Sequence, residues 1–289
     1  MLFRLLSLVT FSAIAVHLIP APIARGEENL LGLPPQTMEN RGALVICGGG
    51  RLPESVYQQF VDLAGGKKAR VVLIPSAWPF ASLDDAKRRN SGWSDYDLAS
   101  LDYIDAKTRD EADDEKFVAP LKEATGVWIT GGRQGRLASL YSGTKTEAAI
   151  KEVLARGGAI GGTSAGAAIM SQVMIRYGAA RNLMVERGFG LLTQAVVDQH
   201  FTERKREPRL LSVLEKHPEK LGLGVDEGTA LVVQGNRLRV VGRSQVTVCI
   251  PQAPGEKPLL HKMDADKQFD LIQTSAAKGA RPAISLRGL

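Results

Sequence analysis

Short apolar runs, three of them closed by glycine, separated by stretches of helical periodicity, constrain this chain more than any other feature. Residues 44–47 (Leu-Val-Ile-Cys) end in Gly48-Gly49-Gly50, residues 126–130 in Gly131-Gly132, and residues 158–161 run into Gly162. A fourth run, residues 70–74, ends at Pro75. Between them, residues 56–64 read as a helix closed by Gly65-Gly66. Residues 83–101 hold helical pieces interrupted at Asn90-Ser91-Gly92, and residues 144–156 read as a helix. Strands that are apolar throughout and alternate with helices are buried on both faces. This predicts an α/β fold with a mostly parallel, flavodoxin-like central sheet and helices on both faces. Ligands of such sheets bind beyond the carboxyl ends of the strands, where the glycine clusters fall. Short valine-rich runs at 231–233, 238–241 and 246–250, with turns at Gly235-Asn236 and Gly242, predict an antiparallel extension of the sheet. From residue 251 the pattern fades, and residues 278–289 read as a mobile tail.

With 289 residues, 44% hydrophobic and 24% charged, the chain can bury a full core without staples. A net charge of +6, spread along the sequence, does not argue for nucleic acid, and no nucleic-acid-binding signature is present. The first 26 residues differ from the rest. A basic start (Arg4) precedes a run, residues 5–19, that is mainly apolar, and Ala24-Arg25-Gly26 offers small residues for cleavage. This reads as a secretory signal peptide over 1–26, which makes the protein secreted or periplasmic and free of the membrane after cleavage. Cys47 and Cys249 each fall in a predicted strand and read as buried and reduced. No His, Cys, Asp or Glu set has metal-ligand spacing, and Gly48-Gly49-Gly50 lacks the G-x-G-x-x-G spacing of a dinucleotide loop. The expectation is no cofactor and no metal.

The sequence Gly162-Thr163-Ser164-Ala165-Gly166 follows the strand at 158–161 and opens a helix-forming run, residues 165–170. A serine held between small residues at a sharp strand-to-helix turn exposes its hydroxyl beside unpaired helix N–H groups. That makes Ser164 a candidate nucleophile for acyl transfer. A small-residue packing turn would read the same way. His200 is the best base. It ends a predicted strand (195–199), and the loop after it lasts until Pro208 opens a helix. His217 sits at the end of that helix, His261 lies in the weakly patterned region, and His17 is in the leader. For the acid, Asp226 and Glu227 follow the run 222–225. Strand side chains alternate, so only one of them faces His200, and sequence does not say which. Glu186 is a further alternative.

Together these pieces resemble the cyanophycinase and aspartyl dipeptidase family of serine peptidases, with cyanophycinase the nearer branch. The likeness covers about residues 43–250. It is carried by Gly131-Gly132-Arg133-Gln134, Gly162-Thr163-Ser164-Ala165-Gly166, Asp198-Gln199-His200-Phe201 with the arginines after it, and Val225-Asp226-Glu227-Gly228-Thr229-Ala230. The resemblance implies a class I glutamine amidotransferase-like fold and release of β-aspartyl-arginine dipeptides from a polyaspartate with arginine branches. It implies Ser164 as nucleophile, His200 as base and Glu227 as its orienting acid, with Gly132 and Ala165 N–H groups as the oxyanion hole. Gln134, Asp198, Gln199, Arg204, Arg206 and Arg209 would line the substrate site. The implied partner is a peptide or polymer with aspartyl and arginyl groups, and the family implies a homodimer. Arg133 and Lys205 depart from the family pattern and bear on specificity. The domain plan is therefore a signal at 1–26, a linker at 27–42, the catalytic domain at 43–250 and an extension at 251–289. The rival readings are an aspartyl or isoaspartyl dipeptidase of the same fold, and a non-catalytic protein that binds an anion or peptide.

Overall fold

The computed structural model describes residues 29–33, 42–252, 256–274 and 283–288. The leader at 1–26 and most of the linker lie outside them. Five parallel strands form one flank of a nine-stranded sheet: β1 (Ala43–Cys47), β2 (Arg70–Ile74), β3 (Ser100–Tyr103), β4 (Gly126–Ile129) and β5 (Ala159–Thr163). Their spatial order is β1-β5-β4-β2-β3. Alternate residues of β1 serve two different cores, as expected for strands without a wet face. Ala43, Val45 and Cys47 join Phe60, Trp93 and Trp128 on one side. Leu44 and Ile46 join Ile129, Ile160, Ile169 and Met170 on the other.

The first side is covered by α1 (Glu54–Leu63), which buries Val56, Phe60 and Val61 and ends at the predicted Gly65-Gly66. On this side also lies the irregular segment after α2 (Leu83–Arg89), where Trp93 meets Phe60 edge-on. The second side is covered by α3 (Arg109–Ala112), α4 (Glu115–Glu123), α5 (Gln134–Tyr141), α6 (Lys145–Ala155) and α7 (Ala165–Ala168). The run expected to be helical over residues 165–170 is helical only over its first four residues.

The remaining strands divide between sheets. The hairpin of β6 (Val173–Tyr177) and β7 (Met184–Arg187) stands by itself. β8 (Ala195–Gln199) and β9 (Leu221–Val225) pair in parallel, with α8 (Glu207–Lys216) between them in sequence. β10 (Thr229–Gln234) and β11 (Arg237–Gly242) extend the central sheet antiparallel to β1, as expected. β12 (Gln245–Ile250) does not. It pairs with β9 and with β13 (Leu259–Asp264), completing a separate four-stranded sheet of order β13-β12-β9-β8. The Gly242 turn is where the chain changes sheets.

The C-terminal region is structured where it is described. β14 (Gln268–Thr274) pairs with β11, and β15 (Ala283–Gly288) closes the edge of the nine-stranded sheet. Residues 283–288, read from sequence as tail, are thus an edge strand; residues 278–282 lie outside the described residues. Cys47 and Cys249 are both buried and unpaired, and burial pushes both thiols upward. Among the described residues no helix is long and apolar enough to cross a membrane.

Candidate active site

The glycine clusters close β1, β4 and β5, three adjacent strands of the parallel core, so all three lie at one edge of it. At the end of β5 the chain turns at Ser164 with φ 52° and ψ −109°. A non-glycine residue there carries strain of about 1–3 kcal/mol. The turn is held by Ser164 N–H donating to Cys47 O at 3.0 Å, which ties it to the end of β1. Gly162 and Gly166 have the role their positions imply. A Cβ on Gly162 would strike Gly166 O, and one on Gly166 would strike Ile129 O.

His200 leaves β8 at φ 49°, its N–H donating to Gly48 O at 2.7 Å. Its Nε2 lies 2.8 Å from Ser164 Oγ. Its Nδ1 is hydrogen-bonded to Glu227 Oε1. With Nδ1–H donating to the carboxylate, the Nε2 lone pair faces the serine hydroxyl. The serine comes from the central sheet; imidazole and carboxylate come from neighbouring parallel strands of the second sheet. Of the two carboxylates left open by the sequence, Glu227 is the one that meets the imidazole. Asp226 points away from the imidazole, accepting from Thr202 N–H at 3.0 Å and Ser244 Oγ–H at 2.9 Å. Glu186 lies on β7 and pairs with Arg176 at 3.3 Å.

Burial holds the His200 pKa below 6.5, against the pull of Glu227, with Arg204 and Arg206 adding to the downward push. Burial and the two arginines thus favour the neutral imidazole. Gly48-Gly49-Gly50 is the floor of this pair. A Cβ on Gly49 would run into the imidazole ring, and one on Gly50 would press on the Glu227 carboxylate. Sequence placed this cluster at the carboxyl end of a strand; the side chains packed on it lie 150 residues and more away along the chain.

Ala165 opens α7, so its N–H has no acceptor within that helix. Gly131 lies against Ser164, a Cβ there coming within 3.4 Å of the serine Cβ. Gly132 follows at φ 149°, its backbone packed on Ala77, and Arg133 N–H fixes the turn by donating to Ala77 O at 2.8 Å. Gly132 and Ala165 thus follow directly on the two residues that meet at the elbow, Gly131 and Ser164.

The six residues assigned to substrate by resemblance divide into three groups. Asp198, Gln199, Arg206 and Arg209 form one network. Asp198 takes both prongs of the Arg209 guanidinium, one at 2.6 Å, and Arg206 lies 3.4 Å from the same carboxylate while donating to Gln199 O at 2.6 Å. Asp198 and Arg209 are buried, so the Asp198 carboxylate is taken up by an arginine of this chain. Arg204 stands apart, exposed beside His200. Gln134 is on the other side of the elbow, its amide donating to Ile175 O and Arg176 O at 3.0 and 2.9 Å. Arg209 also donates to Gly178 O at 3.2 Å. Two of the six therefore anchor the β6–β7 hairpin. Sequence reading passed over that hairpin, although Gly178 offers a turn signal between its strands. Among the described residues no group of His, Cys, Asp and Glu is arranged to hold a metal ion.

The model of Peptidase family S51 matches residues 44–241. The cyanophycinase of Geminocystis herdmanii is 34% identical over 224 residues, covering 74% of this chain and 82% of that protein. Those of Thermosynechococcus vestitus and a Nostoc species are 34% and 32% identical, covering 69% and 74% of their own lengths. In fold, the chain is similar to a crystallised peptidase from an acI-B1 actinobacterium, with a TM-score of 0.63 at 22% identity over 80% of this chain and 97% of that one. These likenesses define the class: a serine peptidase, and so a hydrolase. More narrowly, the chain belongs to peptidase family S51.

Proposed function

We propose that this protein is an exported exopeptidase of the cyanophycinase type, hydrolysing a polyaspartate with arginine branches to β-aspartyl-arginine dipeptides. One observation carries the chemistry: a serine oxygen at 2.8 Å from an imidazole whose other nitrogen is bonded to a carboxylate. His200 Nε2 takes the hydroxyl proton as Ser164 Oγ attacks the scissile carbonyl. The oxyanion that forms is received by the Gly132 and Ala165 N–H groups. His200 then passes its proton to the departing amine, leaving an ester on Ser164. Water attacks this acyl-enzyme, His200 takes its proton, and the acid departs as Ser164 recovers its hydrogen. Glu227 keeps Nδ1 protonated and stabilises the transient imidazolium.

The substrate assignment rests on relatives named cyanophycinases and on the charge around His200. Arg204 offers a cation for a carboxylate, and Asp198, with its arginines, sets both signs of charge behind it. The leader pattern over 1–26 supports export. Supplying the purified protein with cyanophycin, and separately with β-aspartyl and α-aspartyl dipeptides, tests the reading by product mass. The dipeptide β-aspartyl-arginine should appear from the polymer and not from a Ser164→Ala variant. Hydrolysis of dipeptides alone would identify an aspartyl dipeptidase instead. No hydrolysis, with Ser164 inert to serine-directed reagents, would identify a binding protein. The acid is tested by exchange for the amide: Glu227→Gln should lower kcat by about 10²–10⁴-fold, by analogy with the loss of such an acid in other triads, and Glu186→Gln should leave it near the parent value.

A further inference from the structure

The parallel ladder of β8 and β9 stops at Gln199 and Val225, but the two chains do not separate there. Phe201 N–H still donates to Val225 O at 3.1 Å. Beyond it the acceptors become side chains. Thr202 N–H donates to Asp226 Oδ1 at 3.0 Å, and Glu227 N–H donates to Glu203 Oε1 at 3.0 Å. Each chain lends one carboxylate to the backbone of the other. His200 lies at the start of one segment and Glu227 at the end of the other, so the exchanged bonds close a ring through the imidazole–carboxylate contact.

Two observations show why such a ring is needed. His200 has left extended geometry, at φ 49°, so the carbonyls after it are no longer in register to continue a ladder. The Glu227 side chain is 36% exposed, so packing alone does not hold it against the imidazole. Carboxylate acceptors make stronger bonds to backbone N–H than carbonyls do. Asp226 is buried, with its second oxygen on Ser244 Oγ and no ion pair among the described residues. Its two oxygens are taken by Thr202 N–H and Ser244 Oγ–H, so it serves to orient the segments it joins.

We propose that Glu203 and Asp226 are positioning residues that together fix the contact between His200 Nδ1 and Glu227, and through it the aim of Nε2 at Ser164. The catalytic consequence rests on the triad reading above; the geometric claim does not. Glu203 is exposed, so its variants should fold. Glu203→Ala removes the acceptor, Glu203→Gln keeps it without charge, and Asp226→Asn keeps an oxygen for Thr202 N–H.

The first measurement is the downfield proton signal of the His200 Nδ1–H in the resting protein. It should persist in the parent, in Glu203→Gln and in Asp226→Asn, and be lost or broadened in Glu203→Ala. The second is kinetic. Glu203→Ala should lower kcat about ten- to a hundredfold, as misplacement of a catalytic group does, with KM within twofold, and Glu203→Gln should restore it. An unchanged signal with unchanged kcat in Glu203→Ala would overturn the proposal, as would a Glu203→Gln protein as impaired as Glu203→Ala. If Ser164→Ala retained turnover, the triad reading would fall, and the proton signal would still decide the geometric claim.

Discussion

In the proposed mechanism His200 serves as a base only while it is neutral, and its surroundings favour that form. Burial is the main cause, the nearby Arg204 and Arg206 cations act in the same direction, and Glu227 opposes them without prevailing. The sign follows directly. A base whose pKa lies below its ordinary value stays active to lower pH, so the acid limb of kcat/KM should titrate below 6.5. Arg204 is exposed and makes its contribution through the field alone. Arg204→Gln removes one of the charges that disfavour the imidazolium, so it should move the limb upward by a fraction of a pH unit, less at high salt. A limb above 6.5 in the parent would show that Glu227 outweighs burial and the two cations, and a downward shift in the variant would show that the Arg204 charge does not act on the imidazole. At this scale the sequence told much. Ser164 and His200 were identifiable from local pattern because each sits at the end of an apolar strand. The acid was not, since strand parity says that Asp226 and Glu227 diverge but carries no record of which neighbour each one meets.

Among the elements, the loop after β1 is the least expected participant, since it contributes no functional side chain. Its function is to leave room. Gly49 adopts φ 102° and lies under the imidazole, so any side chain there would both strain the backbone and displace the ring. Gly66, at φ 60°, has nothing within 4 Å of its Cβ position, so it isolates the backbone effect. Gly66→Ala should cost about 1 kcal/mol in urea unfolding and leave kcat unchanged. Gly49→Ala should cost activity about a hundredfold or more, beyond its effect on stability. Equal kcat in the two variants would remove Gly49 from the site. The same contrast explains which elements the sequence disclosed. β1, β4 and most of β2 and β5 are apolar because both their faces are covered, and they stood out. β3 is a half-covered edge strand with Asp102 in its middle, and β13 begins with an exposed Leu259, so neither carries a continuous signal. α4 was hidden by Pro120 in its interior.

The described residues form two large sheets, with the β6–β7 hairpin beside them, that come together around His200, and nothing local announces the division. The runs that become β10, β11 and β12 are equally rich in valine; only their pairing partners, far away in sequence, send β12 to the second sheet. A fold of this kind needs something to hold the sheets in register, and part of that task falls to residues 29–33, which the sequence presented as linker. Leu30 N–H donates to Asn236 Oδ1 at the β10–β11 turn of the central sheet. Leu31 O accepts from Gln194 N–H at 3.1 Å and Gly32 O from Thr193 N–H at 3.2 Å, both just before β8 of the other sheet. Leu31 itself is completely buried in the larger core. The segment is therefore a strap across both sheets, anchored by Leu31 with Leu30 and Leu33 buried beside it. Leu31→Ala should lower unfolding free energy by about 2–5 kcal/mol in urea, the range for a buried leucine truncated in a packed core. Because the strap contacts neither Ser164 nor the His200–Glu227 pair, kcat measured well below the melting temperature should stay near the parent value. A variant as stable as the parent would mean that the strap merely rests on the sheets. A variant of normal stability and lost turnover would mean that it acts on the site rather than on the junction.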